Sequence, residues 1–209
     1  IGSIRIQGSG TEVLSGANSS YLGGTYVLSG STLQVNSSTT LGGSGLGATA
    51  GLTSVASGGT LSLGSTGFVT NETIYLRGGT RSTLSGGAIL RSPVYIGENS
   101  TLRSNLSGSS LTLAAPLITR PGTTLTLNGS GNVIFNSTNS ILGPLVSSTN
   151  LFIGGAPQAA GAAGGIGRGP VTNSGSITVN MNDAQFALAN DISGSGSLYL
   201  YRNVINVTG

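Results

Sequence analysis

The chain has 209 residues, of which 6% are charged and 37 are glycine. Its net charge of +3 is the excess of arginines over acidic residues, and it contains no lysine, histidine or cysteine. This small positive excess attracts nucleic acid only weakly, and the lack of cysteine excludes disulfides and thiolate metal sites. Because no window approaches the roughly 18 uninterrupted apolar residues of a membrane-spanning helix, we expect neither a nucleic-acid partner nor a transmembrane segment.

The first informative stretch is residues 14–35, LSGANSSYLGGTYVLSGSTLQV. It contains two short apolar pieces, Tyr26–Leu28 and Leu33–Val35, separated by Ser-Gly and Gly-Gly pairs. The pieces are too short for a helix, and the glycines punctuate them as turns do. This stretch therefore predicts brief strands joined by tight turns.

The same stretch resembles the autotransporter-associated β-strand repeat. The similarity rests on Ser15–Asn18, on Gly23–Thr25 and on Ser31–Val35, with Ser31 where the family usually has glycine. Residues 189–198, ANDISGSGSL, are similar to another opening of that repeat. The resemblance implies a secreted bacterial surface protein, located outside the cell or on its surface, that folds as a right-handed parallel β-helix.

Strand-like pieces then recur along the chain, each with an apolar residue on either side of a middle residue that is free to face solvent. They are Leu61–Leu63, Ile74–Leu76, Val94–Ile96, Leu111–Leu113, Leu125–Leu127, Val133–Phe135, Leu151–Ile153 and Ile177–Val179. Such short strands between Gly-Ser turns favour an all-β, single-stranded parallel β-helix (a β-solenoid) over an antiparallel sandwich, whose strands are usually longer. We expect one elongated body over residues 1–209, with roughly 20 to 25 residues per coil and about eight to ten coils.

Two glycine-rich segments interrupt this pattern. Residues 154–169, GGAPQAAGAAGGIGRG, predict an exposed loop, and residues 42–59 begin in a similar way. The interpretations are a flexible turn outside the coil or a protruding loop that binds a partner.

The ends of the chain lack the features of a solenoid cap. The first residue is not methionine, and no capping helix or charged edge is apparent at either end. We expect more chain, or a neighbouring copy, to continue the stack. The residues expected at such assembly ends are Ile4, Ile6, Val204, Ile205 and Val207.

The sequence offers little for catalysis. The five acidic residues are Glu12, Glu72, Glu98, Asp183 and Asp191, and without histidine or lysine the serines have no ordinary base. Glu72 and Glu98 are expected to form salt bridges with nearby arginines rather than a carboxylate pair. Residues 165–169 lack the Lys-Ser/Thr end of a P-loop, and the glycine turns lack the Asp of calcium-binding repeats. We expect a protein that is not an enzyme and holds neither a cofactor nor a metal.

Exposed tyrosines and a cluster of arginines are the remaining candidates. Tyrosine rings can stack on sugars, and an arginine stripe can meet acidic glycans or a neighbouring subunit. The alternative is that they are ordinary surface residues and solubilising charge. The candidate glycan or lateral contacts are Tyr75, Tyr95, Tyr199, Tyr201, Arg77, Arg81, Arg91 and Arg103.

These observations predict a non-enzymatic structural protein, a stalk or fibre module that self-assembles head to tail into a surface filament, with side-by-side packing of rods as a further option. The alternative is an adhesin passenger domain that binds glycans or other host or matrix surfaces. Exposed aromatic rows on one face favour adhesion, and complementary open ends favour assembly. Ice binding through threonine ladders is a third hypothesis, for which Thr124–Thr126 is one candidate rung without an evident repeat in register.

Overall fold

The computed structural model of this chain describes residues 2–15, 23–36, 52–64, 68–83, 86–155, 165–181, 186–201 and 205–207. Within these ranges the regular elements are all β-strands. In chain order the strands are β1 (Ile4–Ile6), β2 (Gly10–Leu14), β3 (Thr25–Val27), β4 (Ser31–Val35), β5 (Leu52–Ala56), β6 (Thr60–Leu63), β7 (Phe68–Thr70), β8 (Thr73–Arg77), β9 (Thr80–Thr83), β10 (Gly87–Leu90), β11 (Val94–Glu98), β12 (Ser100–Ser104), β13 (Ser110–Leu113), β14 (Leu117–Thr119), β15 (Leu125–Asn128), β16 (Asn132–Phe135), β17 (Leu145–Ser147), β18 (Asn150–Ile153), β19 (Val171–Asn173), β20 (Ser176–Asn180), β21 (Phe186–Leu188), β22 (Ile192–Ser193), β23 (Ser197–Tyr201) and β24 (Ile205–Val207).

Three parallel sheets run along the molecule. Sheet A contains β1, β3, β5, β8, β11 and β14, sheet B contains β2, β4, β6, β9, β12, β15, β17, β19 and β22, and sheet C contains β7, β10, β13, β16, β18, β20 and β23. Consecutive strands lie on different faces, so the chain winds as a coil, and the predicted parallel β-solenoid is confirmed. The coils differ in length: the coil from Thr32 to its register partner Thr60 contains more chain than the coil from Thr60 to its partner Thr80.

The core is a set of stacked apolar columns. Alternate residues of each strand face inward, and equivalent residues of neighbouring coils pair in register, about 4.8 Å apart. One inward column of sheet B contains Leu33, Leu61, Leu102 and Leu127, all fully buried. Every short apolar piece predicted from the sequence lies within, or overlaps, one of the strands.

Glycine turns make the corner between sheets A and B. At Leu28–Ser31 the Ser31 amide donates to the Leu28 carbonyl at 3.2 Å, and Gly30 at the third position has φ +77°. This is the geometry of a type II turn, which favours glycine at that position. Gly58 repeats it with φ +73°. The Ser-Gly and Gly-Gly pairs of the sequence are therefore corners of the coil.

A column of threonines follows this corner on the outer side of sheet B. Its members pair in register through six successive strands: Thr11, Thr32, Thr60, Thr80, Thr101 and Thr126. The variable coil length conceals this repeat in the sequence. The next outward column is mixed and includes Gln34, Ser62 and Arg103, so the threonine ladder is one residue wide.

The two ends of the described solenoid differ. In β23, Leu198 and Leu200 are 38% and 46% exposed, although their register partners in β20 are core residues. In β2, the exposed Glu12 is the register partner of the core residue Leu33, so a carboxylate lies at an inward position. Inward charges of this kind oppose the addition of a further strand.

The other residues expected at the ends are placed as follows. Ile4 is half-buried and Ile6 is buried in β1. Val204 lies outside the described residues, whereas Ile205 and Val207 belong to β24, which pairs with β21 outside the three main sheets. The strong resemblance to the repeat family at Ser15–Asn18 also falls mostly on residues that the structure does not describe.

The glycine-rich segment 154–169 is described only at its ends. Gly154 and Gly155 are buried, and Ile166 is 2% exposed and packs with the core. The expectation of an exposed loop is therefore wrong at these three residues, because the coil closes over them. Residues 156–164 of this predicted loop lie outside the described ranges.

Candidate functional site

One outward column of sheet A brings three tyrosine side chains into a single row. From β1 to β14 its members, in register, are Arg5, Tyr26, Ser54, Tyr75, Tyr95 and Ile118. Each lies between two inward residues of its strand, so strand alternation directs it to the outer face of the sheet. The column is therefore a row of spatial neighbours, each separated from the next in sequence by one whole coil.

Two tyrosines of this column stack on each other. The ring centroids of Tyr75 and Tyr95 are 4.6 Å apart and the ring planes differ by 15°. One face of each ring is covered by the other, and the opposite face of Tyr95 lies on the side of Ile118, its register partner in the next coil. Farther along the column, the guanidinium carbon of Arg5 lies 5.9 Å from the ring centroid of Tyr26, within the range of a cation–π contact.

An irregularity in the ladder places two charged side chains beside the ring pair. The register between β8 and β11 shifts between Ile96 and Glu98, so that Glu98 becomes the register partner of Arg77. A bulge of this kind changes the direction of the side chains that follow it. Both Glu98 and Arg77 are exposed at the C-terminal ends of their strands, along one edge of sheet A.

A third charged residue, Arg120, is held at the same edge by a turn. The amide and the hydroxyl of Thr123 donate to the Arg120 carbonyl at 3.2 and 2.7 Å. Pro121 and Gly122, with φ +78° at the glycine, occupy the central positions as a type II turn requires. The Arg120 amide donates to the Ile96 carbonyl of the neighbouring coil at 3.3 Å, which fixes the turn against β11.

Together these residues form an open groove of about 470 Å³. It is lined by Tyr75, Arg77, Tyr95, Ile96, Gly97, Glu98, Ile118, Thr119 and Arg120. No ion pair with an N···O distance below 4.0 Å links Arg77, Arg120 and Glu98 in the described part of the chain. The groove thus combines an aromatic and aliphatic floor with the charged groups of two arginines and one glutamate.

The groove unites three of the residues chosen from the sequence, Tyr75, Tyr95 and Arg77. Tyr199 and Tyr201 are exposed but lie in β23 of sheet C. Arg91 follows β10 and Arg103 lies in β12, so the arginines do not form one stripe.

Sequence reasoning missed Glu98 and Arg120 as groove residues. Glu98 and Arg77 belong to successive coils and meet only through the register between them. The Pro-Gly pair after Arg120 was the available signal, because it marks the corner that returns this residue to the same edge.

Arg81 is not a surface residue. It is fully buried as the register partner of Leu61 and Leu102, and its Nε and both terminal nitrogens have no hydrogen-bond partner among the described residues. Burial lowers the pKa of Arg81 to about 9. The prediction that Arg81 contacts glycans or neighbouring rods is therefore wrong, because strand alternation after the outward Thr80 turns it into the core.

Glu72 is also buried, and the salt bridge expected for it is absent among the described residues. Its Oε1 accepts a hydrogen bond from the Thr53 hydroxyl at 2.7 Å, while Oε2 has no partner within the described ranges. Burial raises the pKa of Glu72 to about 7, and the Thr53 hydrogen bond opposes that rise. No acid–arginine pair closer than 4.0 Å is present among the described residues, so the expected salt bridges of Glu72 and Glu98 are absent there.

Comparisons with known proteins returned no match: no protein-family model, no curated protein and no solved structure matches this chain. Over the described ranges, no cluster of three or more acidic, histidine or cysteine residues is suited to hold a metal ion. The same ranges contain no helix with the length and apolar character needed to span a membrane.

Proposed function

We propose that this chain is a non-enzymatic module of the extracellular or bacterial cell surface, in which a rigid β-solenoid displays a carbohydrate-binding groove. The observation that carries the proposal is the stacked Tyr75–Tyr95 pair beside Arg77, Glu98 and Arg120. The extracellular location rests on the resemblance to the autotransporter-associated repeat.

The chemistry of the groove suits a sugar. A pyranose ring has an apolar C–H face that packs on aromatic and aliphatic surface, here Tyr95 and Ile118. Its rim of hydroxyls needs donors and acceptors, which the guanidinium groups and the Glu98 carboxylate supply. The groove volume of about 470 Å³ is within the usual range of ligand sites, about 300–1,000 Å³.

The body of the molecule suits a stalk. Parallel ladders continue through the nine strands of sheet B, so the groove is held on a scaffold with little freedom to bend. Sites on such elements keep their side chains in place better than sites on loops.

Binding to an array of oligosaccharides tests this function, with calorimetric titration of each sugar that is retained. We expect the wild-type chain to bind at least one sugar class and Tyr95→Ala to lose that binding. Tyr201→Ala is the matched control, because it removes an exposed tyrosine outside the groove. Binding that survives Tyr95→Ala, or a wild-type chain that retains no sugar, contradicts the proposal.

A second candidate, head-to-tail assembly into a filament, is favoured by the uncovered strand β23. Its exposed Leu198 and Leu200 continue columns that are buried in β20, and a further strand would cover them. Glu12 at the other described end opposes this pairing, since assembly there would bury its carboxylate.

Electron microscopy over a range of concentrations tests assembly. If β23 pairs with another copy, rods lengthen with concentration and the double variant Leu198→Lys/Leu200→Lys shortens them. Leu106→Lys, at an exposed leucine away from β23, serves as the control. Single short rods at every concentration remove the assembly proposal.

A further inference from the structure

The charges of the groove indicate which class of sugar it accepts. We propose that the groove selects carbohydrates that carry a carboxylate, such as uronic acids, over neutral sugars; this inference rests on the proposed carbohydrate-binding function. Two guanidinium groups, Arg77 and Arg120, line the groove against a single carboxylate, Glu98.

Arginine is suited to this ligand. Its planar guanidinium offers paired N–H donors that match the two oxygens of a carboxylate, and it stays charged at all physiological pH values. Both groove arginines are exposed, and neither forms an ion pair below 4.0 Å within the described residues. Their donors are therefore available to an incoming anion.

The two arginines are not equivalent. Arg77 has Glu98 as its register partner, so this carboxylate competes with an acidic ligand for the Arg77 guanidinium. Arg120 stands on the turn after β14, next to the Ile118 side of the Tyr95 ring. Arg120 is therefore the primary carboxylate-binding residue, and Glu98 limits the affinity for acidic sugars by repulsion.

This arrangement also orients the ligand. The apolar face of the sugar rests on Tyr95 and Ile118, and its carboxylate extends to Arg120 at the adjoining edge. A neutral sugar makes the same apolar contact but offers Arg120 only an uncharged hydroxyl. Because a hydrogen bond between a guanidinium and a carboxylate is stronger than one to a neutral hydroxyl, the acidic sugar binds more tightly.

Calorimetric titration with matched ligand pairs tests the inference. The probes are oligosaccharides of galacturonic, mannuronic and glucuronic acid, each compared with its carboxyl methyl ester, which keeps the sugar and removes the charge. We expect at least one acid to bind about tenfold or more tightly than its ester. Arg120→Gln should remove that preference, and Arg77→Gln should reduce it less.

Glu98→Gln should change the affinity for the acid in the opposite direction. Removing the carboxylate beside Arg77 should strengthen binding of the acid about threefold or more and leave the ester unchanged. Arg103→Gln is the matched control, because it removes an exposed arginine of sheet B that is not in the groove. Its affinity for the acid should equal that of the wild-type chain.

The outcomes separate the two proposals. Equal affinity for acid and ester, with both lost in Tyr95→Ala, overturns the carboxylate preference and leaves carbohydrate binding intact. A preference that persists in Arg120→Gln and Arg77→Gln, or that Arg103→Gln also abolishes, overturns the assignment to these arginines. If no acid and no ester binds but another sugar of the array does, only the carboxylate preference fails; if no sugar binds at all, both proposals fail.

Discussion

Arg81 takes the place in its coil that Leu61 takes in the preceding one: the two residues are register partners at an inward position of sheet B, and both are fully buried. A guanidinium thus interrupts a leucine column. Because its nitrogens have no hydrogen-bond partner among the described residues, this burial costs stability.

We predict that Arg81→Leu stabilises the protein by about 1–4 kcal/mol, since leucine restores the column and removes an unpaired buried charge. Urea denaturation measures the change as a higher midpoint. Arg103→Leu, at an exposed position of the neighbouring coil, should shift stability by less than about 0.5 kcal/mol. A lower midpoint for Arg81→Leu would show that the guanidinium is satisfied in solution.

Glu72 predicts a pH dependence. Its pKa is about 7 in the folded chain and 4.5 in the reference state, so the folded state retains a proton that the unfolded state loses. The resulting stability is complete below pH 4.5 and disappears as the pH rises through 7, by up to about 3 kcal/mol. Denaturation at pH 5 and at pH 8 measures the difference.

The matched variants for this titration are Glu72→Gln and Thr53→Val. Glu72→Gln should flatten the pH profile, because glutamine does not titrate. Thr53→Val should move the pH at which the stability falls to a higher value, because the hydroxyl that stabilises the ionised carboxylate is gone. An unchanged pH profile in Glu72→Gln assigns the dependence to another group.

Two glycines at the same corner of the coil predict different costs for the same substitution. A Cβ at Gly79 would lie 2.5 Å from Val55 Cγ1 and 2.7 Å from the Ala56 carbonyl oxygen. A Cβ at Gly122 meets nothing within 4 Å, but φ there is +78°. Gly122→Ala should therefore cost about 1–2 kcal/mol from backbone strain alone, and Gly79→Ala should cost more. Equal thermal denaturation midpoints for the two variants would refute this difference.

Asn139 joins neighbouring coils from a buried position. Its Oδ1 accepts from the Leu117 amide at 2.8 Å, and its Nδ2 donates to the Gly165 carbonyl at 2.7 Å. Asn139→Ala should cost about 1–3 kcal/mol, because it leaves these buried backbone groups without partners. Asn150→Ala removes an exposed amide of the Asn132–Ser176 ladder and should cost less than about 0.5 kcal/mol, which thermal denaturation can compare.

The inward position of Arg81 could have been predicted from the sequence. Residues 58–61, GGTL, and residues 78–81, GGTR, align without a gap, so Arg81 falls where Leu61 is inward. Charged residues are almost never fully buried without a partner, so the charge of Arg81 predicts a surface position. That prediction outweighed the alternation of inward and outward residues, which places Arg81 inward. Residue type and strand alternation conflict here, and alternation decides the position.

The sequence by itself determined the class of fold. Short apolar pieces with one outward residue between them encode half-buried strands, and Ser-Gly and Gly-Gly pairs encode the corners, because both signals act over a few residues. The same local signals identified Tyr75 and Tyr95 as outward residues of their strands.

Only the tertiary structure decided which residues of neighbouring coils lie side by side. The separation in sequence between register partners changes from coil to coil, being longer from Thr32 to Thr60 than from Thr60 to Thr80. Sequence spacing therefore does not reveal that the groove charges meet at one edge or that six threonines form a ladder. Each contact between neighbouring coils depends on the length of the one coil that separates the two partners. Local sequence patterns do not fix that length, because it includes the turns and loops between the strands.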